Sequence, residues 1–188
     1  MAALSAARRR WSLRLAAALL ALVVAGVVWS DEALERSVKA AFLYKFSGYV
    51  EWPAEAAPST DSPLVFGVLG DEDLAEELTR LIQARPSVAR SMSVVRLKAF
   101  DPLPTVHVLF IGHAEADRLA AIIRSVRGRP VLVVTDTENA LALGSMINFD
   151  LVEGHVRFQV GLGAARKSGL TLSSRLLAVA HQVVTRSP

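Results

Sequence analysis

The segment that most constrains the fold runs from Ile147 to Val160 and reads INFDLVEGHVRFQV. Apolar and polar residues alternate along it, and a Glu-Gly dipeptide stands at its centre. A two-residue turn there places Phe149 opposite Phe158 on one face, and Asp150 opposite Arg157 on the other. A slip of one residue would exchange the two faces, so the pattern predicts a β-hairpin in one register. Glu-Gly is a weaker turn former than Asn-Gly, and a longer loop is the alternative.

The first thirty residues have the layout of a secretory signal peptide. Four arginines precede an apolar run from Leu15 to Trp29, and Ser30 follows as a small residue suited to cleavage. The run is shorter than the about 20 apolar residues that a membrane-spanning helix needs, so a retained anchor is the less favoured alternative. We predict a signal peptide over residues 1–30 and one exported domain over residues 31–188.

The charge of the predicted domain differs from that of the whole chain. The chain has 21 basic and 18 acidic residues, and taking the four arginines of the first thirty residues from 21 leaves 17 basic residues. The domain therefore has a net charge of −1, and it offers no basic patch of the kind that binds nucleic acid. Cysteine is absent, which excludes disulfides, thiol chemistry and cysteine metal sites.

Short apolar segments alternate with helical patterns between the signal peptide and the end of the chain. The predicted strands before the hairpin span 64–69, 93–97, 106–111 and 131–134. The predicted helices span 31–50, 72–84, 114–126 and 173–184. Strands this apolar are typical of a parallel sheet that is covered on both faces. We predict a single α/β domain, with a mainly parallel sheet flanked by helices, a C-terminal β-hairpin and a final helix.

The first helix carries an apolar stripe at helical spacing. The stripe consists of Leu34, Val38, Ala41, Phe42 and Phe46. Lys45 projects into this stripe. Either its aliphatic stem lies along apolar surface with the ammonium at the rim, or this face of the helix meets an acidic partner.

Polar residues follow three of the predicted strands directly. Asp71, His113 and Asp136 each come one or two residues after a strand ends. Open α/β sheets bind ligands at the carboxyl ends of their strands, so these residues predict an alternative function as a small-ligand pocket. Each of them is also an ordinary helix-capping or turn residue, and that is the competing interpretation.

No catalytic, cofactor or metal site emerges from the motifs. The run Gly161-Leu162-Gly163 lacks the third glycine of a dinucleotide fingerprint, because position 166 is arginine, and we interpret it as a turn. No serine lies in a nucleophile elbow of the G-x-S-x-G type. The histidines share no metal-ligand spacing; they are His107, His113, His155 and His181. We expect no enzyme activity and no cofactor.

Two groups of residues have the composition of a protein-binding surface. Aromatic residues cluster at the end of the first helix, and an arginine lies on the polar face of the hairpin. These residue types are enriched where one protein docks on another. The predicted partner-binding residues are Tyr44, Lys45, Tyr49, Trp52, Asp150 and Arg157. The alternative is that the aromatic residues belong to the core and that the charged pair is a surface ion pair.

Two blocks of this sequence resemble the YfiR-like periplasmic protein family, the domain of unknown function 4154. The first block is VKAAFLYKFSGYVEWP, residues 38–53, which is similar to the family's opening helix. The second, GSMINFDLVEGHVRFQVGLGAARKSGLTLSSRLLAVA, spans residues 144–180 and is similar to its closing signature. The family motif falls on Phe42, Tyr44, Phe46, Trp52, Asn148, Phe149, Arg157, Phe158, Arg175 and Leu176.

The resemblance implies a periplasmic, non-enzymatic α/β regulatory protein, and also a homodimer. Its implied partner is the periplasmic sensor region of an inner-membrane diguanylate cyclase, which such a protein holds inactive. Signals that release the cyclase would raise cyclic di-GMP and favour biofilm formation. No nucleic acid or cofactor is implied.

The chain departs from the family signature at three places. Gln159, Val160 and Gly161 stand where the family usually has Glu-Ile-Asn, so a carboxylate and an amide are missing. Gly144-Ser145 replaces a double glycine, and the disulfides of some members are absent. These departures leave the expected fold intact, but they argue against redox regulation and against any site that needs the missing glutamate or asparagine.

Overall fold

The computed structural model describes residues 31–59, 62–85, 91–99 and 102–185. The chain divides into two compact units, Met1–Glu35 and Arg36–Pro188. Of the first unit the structure describes only residues 31–35, which are helical. The predicted signal peptide lies outside the described residues. The packing and the sites below all belong to the second unit.

Helices and strands alternate through most of the second unit. The helices are α1 (31–46, starting in the first unit), α2 (Glu72–Ala84), α3 (Leu119–Ser125), α4 (Ala140–Leu143), α5 (Leu162–Lys167) and α6 (Ser174–Val179), with 3-10 helices at Ala54–Ala56 and His113–Arg118. The strands are β1 (Val50–Glu51), β2 (Leu64–Leu69), β3 (Met92–Leu97), β4 (Val108–Ile111), β5 (Leu132–Thr135), β6 (Ile147–Val152), β7 (His155–Gly161), β8 (Thr171–Leu172) and β9 (Gln182–Val184).

Seven of the strands form one sheet in the order β3-β2-β4-β5-β6-β7-β9. The first five in this order are parallel, β7 is antiparallel to β6, and β9 is parallel to β7. The remaining two, β1 and β8, pair with each other antiparallel. The predicted α/β fold with a mainly parallel sheet is confirmed. From β2 the chain continues to β3 at one edge of the sheet, and from β4 it continues to β5 towards the other edge. The strand order therefore reverses between β2 and β4, as in doubly wound folds.

The two faces of the sheet carry different layers. One face packs against α1 through Ala40, Leu43 and Phe46, which are 0–1% exposed, and the same core includes α2 and α6. The other face packs against α3 through Leu119 and Ile123. The alternation along β5 follows from the pleat, since Val134 belongs to the first core and Val133 to the second. The buried face of α1 differs from the predicted apolar stripe. It is centred on Leu43, and Lys45 lies outside it and is exposed.

The hairpin has the predicted register. Phe149 lies opposite Phe158, and Asp150 lies opposite Arg157. The turn residues Glu153 and Gly154 have φ angles of 52° and 73°, the left-handed values that a primed two-residue turn requires at both positions. The weaker turn dipeptide therefore still forms the tight turn, because burial of both phenylalanines specifies the register.

Three predictions near the ends of the domain were wrong. The first helix ends at residue 46 and not at Val50, which instead starts β1. The last helix ends at Val179, and β9 occupies the predicted final turn, because His181 donates its backbone N–H to Phe158 O at 2.8 Å and brings the chain to the edge of β7. The predicted turn after β7 is the start of α5.

Candidate functional site

The carboxyl edge of the parallel sheet is closed by a buried ion pair. Asp136 follows β5, and Lys39 of α1 donates to its Oδ2 at 2.8 Å. Each side chain is only 12% exposed. The second oxygen of Asp136, Oδ1, is buried without a hydrogen-bond partner in the described chain. A carboxylate so placed depends on Lys39 for its stability, because an unpaired buried charge is strongly unfavourable.

Asp71, at the end of β2, is used to start the next helix. Its Oδ1 accepts a hydrogen bond from Leu74 N–H at 2.9 Å, as an N-cap residue of α2 does. Burial raises the pKa of the Asp71 carboxyl, because desolvation disfavours the charged form. The bond from Leu74 and the charge of Arg36 lower this pKa, whereas the charge of Asp136 raises it. The carboxyl is thus part of the α2 terminus.

Two backbone segments meet beside the predicted pocket of Asp71, His113 and Asp136. At Gly112 an added Cβ would lie 2.7 Å from Gly70 O, so the backbone segments after β2 and β4 touch at the point where the strand order reverses. His113 begins the 3-10 helix that follows Gly112. The helix-capping interpretation of Asp71 is confirmed. Lys39, which sequence reasoning missed, is the ion-pair partner of Asp136.

The polar face of the hairpin is buried where it joins the sheet. Asn148 is 6% exposed, and its Oδ1 accepts hydrogen bonds from Thr135 Oγ1 at 2.6 Å and from Thr137 N–H at 3.2 Å. Ser145 Oγ lies 2.9 Å from Thr135 Oγ1 and donates to Ile147 O at 2.8 Å. This network fixes the position of the first residues of β6 and uses the Oδ1 acceptor of Asn148 within the fold.

Beyond Asn148 the hairpin leaves the sheet as a two-stranded ribbon. The last residue of β6 paired with β5 is Asn148, and the pairing of β7 with β9 begins at Gln159. We call residues 150–157 the ribbon tip. Its side chains are largely exposed, except for those of Val152 and Val156. Leu151 is 54% exposed, because no other described strand pairs with the ribbon tip.

The charged residues of the ribbon tip do not neutralise each other. Asp150 and Arg157 are opposite in register, but the described chain shows no ion pair between them. Gln159 Nε2 lies 3.3 Å from Asp150 Oδ2 instead and donates to it. The alternative interpretation, a surface ion pair between Asp150 and Arg157, is therefore not what these two described residues form. Arg157 is exposed and makes no ion pair with a described residue.

The aromatic residues after α1 are in unequal environments. Trp52 is 9% exposed and packs edge-on against His107, with the ring centroids 6.0 Å apart. Tyr44 is half-buried against the core, Lys45 is exposed, and Tyr49 is 36% exposed. Trp52 offers almost no surface to a partner, so its predicted role as a contact residue does not hold. The structure instead agrees with the competing interpretation, in which Trp52 is a core aromatic residue.

The two predicted contact groups lie on opposite sides of the hairpin. Phe42 and Phe46 of α1 pack on its apolar face, with ring centroids 5.4 Å and 5.0 Å from that of Phe158. Asp150 and Arg157 project from the other face, because side chains alternate along a strand. One flat partner surface therefore cannot cover Tyr49 and Arg157 together.

The histidines have ordinary structural roles in the structure. His107 is 8% exposed, and its Nδ1 accepts a hydrogen bond from Val65 N–H at 3.1 Å. His155 is exposed at the ribbon tip, with Nδ1 2.8 Å from Glu153 O. Within the described ranges, no group of three or more histidine or acidic residues could hold a metal ion. None of the described helices is both long and apolar enough to cross a membrane.

Comparison with protein-family models gives one match that covers most of the chain. Residues 36–181 match the model of the domain of unknown function 4154, described as YfiR/HmsC-like. The chain belongs to the YfiR/HmsC-like family. The family is regulatory, non-catalytic and periplasmic. Membership in it implies a role as a regulator of diguanylate cyclase signalling. The match includes α1 from residue 36 onward, the sheet strands β2 to β7 and the ribbon tip.

Proposed function

We propose that this YfiR/HmsC-like protein binds the periplasmic sensor region of an inner-membrane diguanylate cyclase and holds the cyclase inactive, which lowers cyclic di-GMP. Family membership supports a role in this signalling. The exposed, uncompensated Arg157 on a projecting ribbon is the observation that carries the choice of contact surface. The exported location, with cleavage near residue 30, belongs to the same proposal.

The ribbon tip has the features of a primary contact surface. One face of it carries an arginine and an aspartate that are not paired with each other, and the other face carries an exposed apolar side chain, Leu151. Apolar anchors and arginines contribute most to binding when a partner excludes water around them. Lys45 belongs to α1, which packs on the apolar face of the hairpin, and Tyr49 follows that helix. We assign them, with the half-buried Tyr44, to a second and smaller contact, either with another part of the cyclase or with a second copy of this chain.

Repression then works by selective binding. The domain would bind the inactive conformation of the sensor region more tightly than the active one and so shift the equilibrium between them. The shift is limited by the difference between the two affinities, and such couplings are typically about 1–3 kcal/mol. No residue of this chain needs to take part in chemistry.

The test is a binding titration of the protein, purified from the periplasm after expression of the full chain, against the isolated sensor region of the cyclase. We expect saturable binding that Arg157→Glu weakens at least about tenfold, which corresponds to about 1.4 kcal/mol. Arg166→Glu is the matched control, because Arg166 is an exposed arginine of α5 outside the ribbon tip. Its binding should equal that of the natural protein.

Two results would count against the proposal. Absence of binding by the natural protein would exclude direct repression of that cyclase. Equal loss with Arg157→Glu and Arg166→Glu would show that overall charge governs binding, and the ribbon tip would no longer be the contact surface.

A further inference from the structure

The two edge strands of the seven-stranded sheet differ in charge. β3 forms one edge and β9 forms the other. β3 contains the exposed Arg96 and is followed by the exposed Lys98, and such charges commonly protect an edge strand from pairing with another chain. β9 is uncharged, and residues 176–185 include no aspartate, glutamate, lysine or arginine. The β9 edge therefore lacks the protection that the β3 edge has.

The outer side of β9 presents unpaired backbone groups. On the inner side, His181 N–H donates to Phe158 O of β7 at 2.8 Å. Backbone groups of successive residues in a strand point to opposite sides, so those of Val183 also face β7, whereas those of Gln182 and Val184 face outward. In the described chain, β9 pairs with β7 alone. The N–H and C=O groups of Gln182 and Val184 are therefore available to another strand.

Two exposed apolar side chains accompany this edge. Val183 of β9 is 38% exposed, and Val179, the last residue of α6, is 67% exposed. Val183 lies beside Val160 in register, and Val160 shares a core with Leu176 of α6. Because side chains of directly paired residues lie on one face of a sheet, Val183 is on the same face as α6. Contact with another protein surface would cover both valines.

The sequence of β9 is complementary to a second copy of itself. In an antiparallel register centred on Val183, each Gln182 lies opposite Val184 of the other copy, and these residues exchange hydrogen bonds through their outward groups. The two Val183 residues then form the central pair, with apolar side chains in contact. Any other register leaves a residue of β9 unpaired. No like charges meet, because β9 has none.

We infer that two copies of this protein pair through β9, across a two-fold axis that passes between their Val183 residues and joins their sheets. The axis is perpendicular to the sheet, so the α6 helices of both copies lie on the same face, beside the junction. Because β9 has three residues and forms few hydrogen bonds, burial of Val179 and Val183 from both copies adds to the stability of the pair.

The β9 pairing is independent of the proposed repression. It uses no residue of the ribbon tip and none of the surface formed by Tyr44, Lys45 and Tyr49. A monomer that still binds the sensor region would refute the pairing alone, and a dimer that does not bind the sensor region would refute the repression alone.

A cysteine at position 183 reports on the pairing directly. The central residues of this register have Cα atoms about 4.5 Å apart, and a disulfide spans about 4.4–6.8 Å between Cα atoms. The natural chain has no cysteine, so Val183→Cys introduces a single thiol. Val95→Cys on β3 is the matched control, because Val95 is 37% exposed and Val183 is 38% exposed. In protein exported from the full chain and purified from the periplasm without reductant, Val183→Cys should form a disulfide-linked dimer and Val95→Cys should stay monomeric.

Analytical ultracentrifugation tests the pairing without a cross-link. The natural protein should dimerise as its concentration rises. Val183→Lys places two ammonium groups opposite each other at the axis and should weaken dimerisation at least about tenfold, which corresponds to about 1.4 kcal/mol. Val95→Lys should leave dimerisation unchanged. Val184→Pro removes an outward N–H group, which an edge strand tolerates, and should weaken dimerisation while the circular dichroism spectrum stays that of the natural protein.

Three results would overturn the inference. The first is a natural protein that stays monomeric up to about 1 mM. The second is a dimer that Val183→Lys leaves intact or that Val95→Lys weakens equally. The third is equal cross-linking of the two cysteine variants, because random collision would explain it without a specific interface.

Discussion

The carboxyl edge of the sheet and the ribbon tip both carry charged residues, yet the protein uses them in opposite ways. At the carboxyl edge, Asp136 is paired with Lys39 and Asp71 caps α2, so both carboxylates make contacts within the fold. At the ribbon tip, Arg157 and Asp150 face each other in register without an ion pair. The comparison shows that the position of a polar residue in a fold family does not establish a site. What matters is whether the rest of the chain already pairs with that residue.

The largest effect on stability is expected at the buried ion pair of Lys39 and Asp136. Lys39→Met leaves the Asp136 carboxylate uncompensated, so the free energy of unfolding should fall by about 3 kcal/mol, the lower end for such pairs. Denaturant titration measures it. The double variant Lys39→Met with Asp136→Leu removes both charges and should recover most of the loss. If the single variant is as stable as the natural protein, the carboxyl edge does not depend on this pair.

The next largest effect on the free energy of unfolding is expected at only one of the two residues of a cross-strand pair. Asn148 and Gln159 are opposite in register, but only Asn148 is buried, and it accepts hydrogen bonds from Thr135 and Thr137. Asn148→Ala should lower the free energy of unfolding by about 2 kcal/mol, because buried donors are left unsatisfied. Gln159→Ala should change it by less than about 0.5 kcal/mol. Equal losses would show that the hairpin is not divided into a buried base and an exposed tip.

A smaller, pH-dependent effect is expected at Asp71. Its raised pKa means that the folded state holds the carboxyl proton more tightly than the unfolded state, so this group's contribution to stability falls as pH rises through the raised pKa. Asp71→Asn keeps a cap but has no charge to desolvate. Its melting temperature should exceed that of the natural protein at pH 7, and the difference should vanish below pH 3.8, the ordinary pKa. A constant difference across this range would contradict the assignment.

The smallest effect on stability is expected at Arg157. Arg157→Glu alters an exposed side chain without an ion pair in the described structure, so the free energy of unfolding should change by less than about 0.5 kcal/mol. A loss comparable to that of Lys39→Met would mean that Arg157 belongs to the fold, and the contrast between the two regions would disappear.

Local sequence patterns predicted the elements that depend on local physics. The hairpin register followed from alternation around Glu-Gly, and the bounds of β2 and α2 followed from an apolar run and an Asp71 cap. The family resemblance, carried by the two terminal blocks, is also confirmed.

The rest depends on contacts between distant residues. Lys39 and Asp136 are 97 positions apart, and no local pattern marks Lys39 as the partner of a strand end. β9 forms because His181 reaches the edge of β7, although the same residues have a helical pattern. Trp52 looked like a surface aromatic because burial cannot be read from composition at a helix end.

We propose that this YfiR/HmsC-like protein restrains a cyclase through the ribbon tip. The most direct measurement is the concentration of cyclic di-GMP in host cells that lack the protein, complemented with the natural chain, with Arg157→Glu or with Arg166→Glu at matched periplasmic levels. We predict a raised concentration in the deletion strain, which the natural chain and Arg166→Glu restore and Arg157→Glu does not. An unchanged concentration in the deletion strain, or full restoration by Arg157→Glu, would contradict the claim.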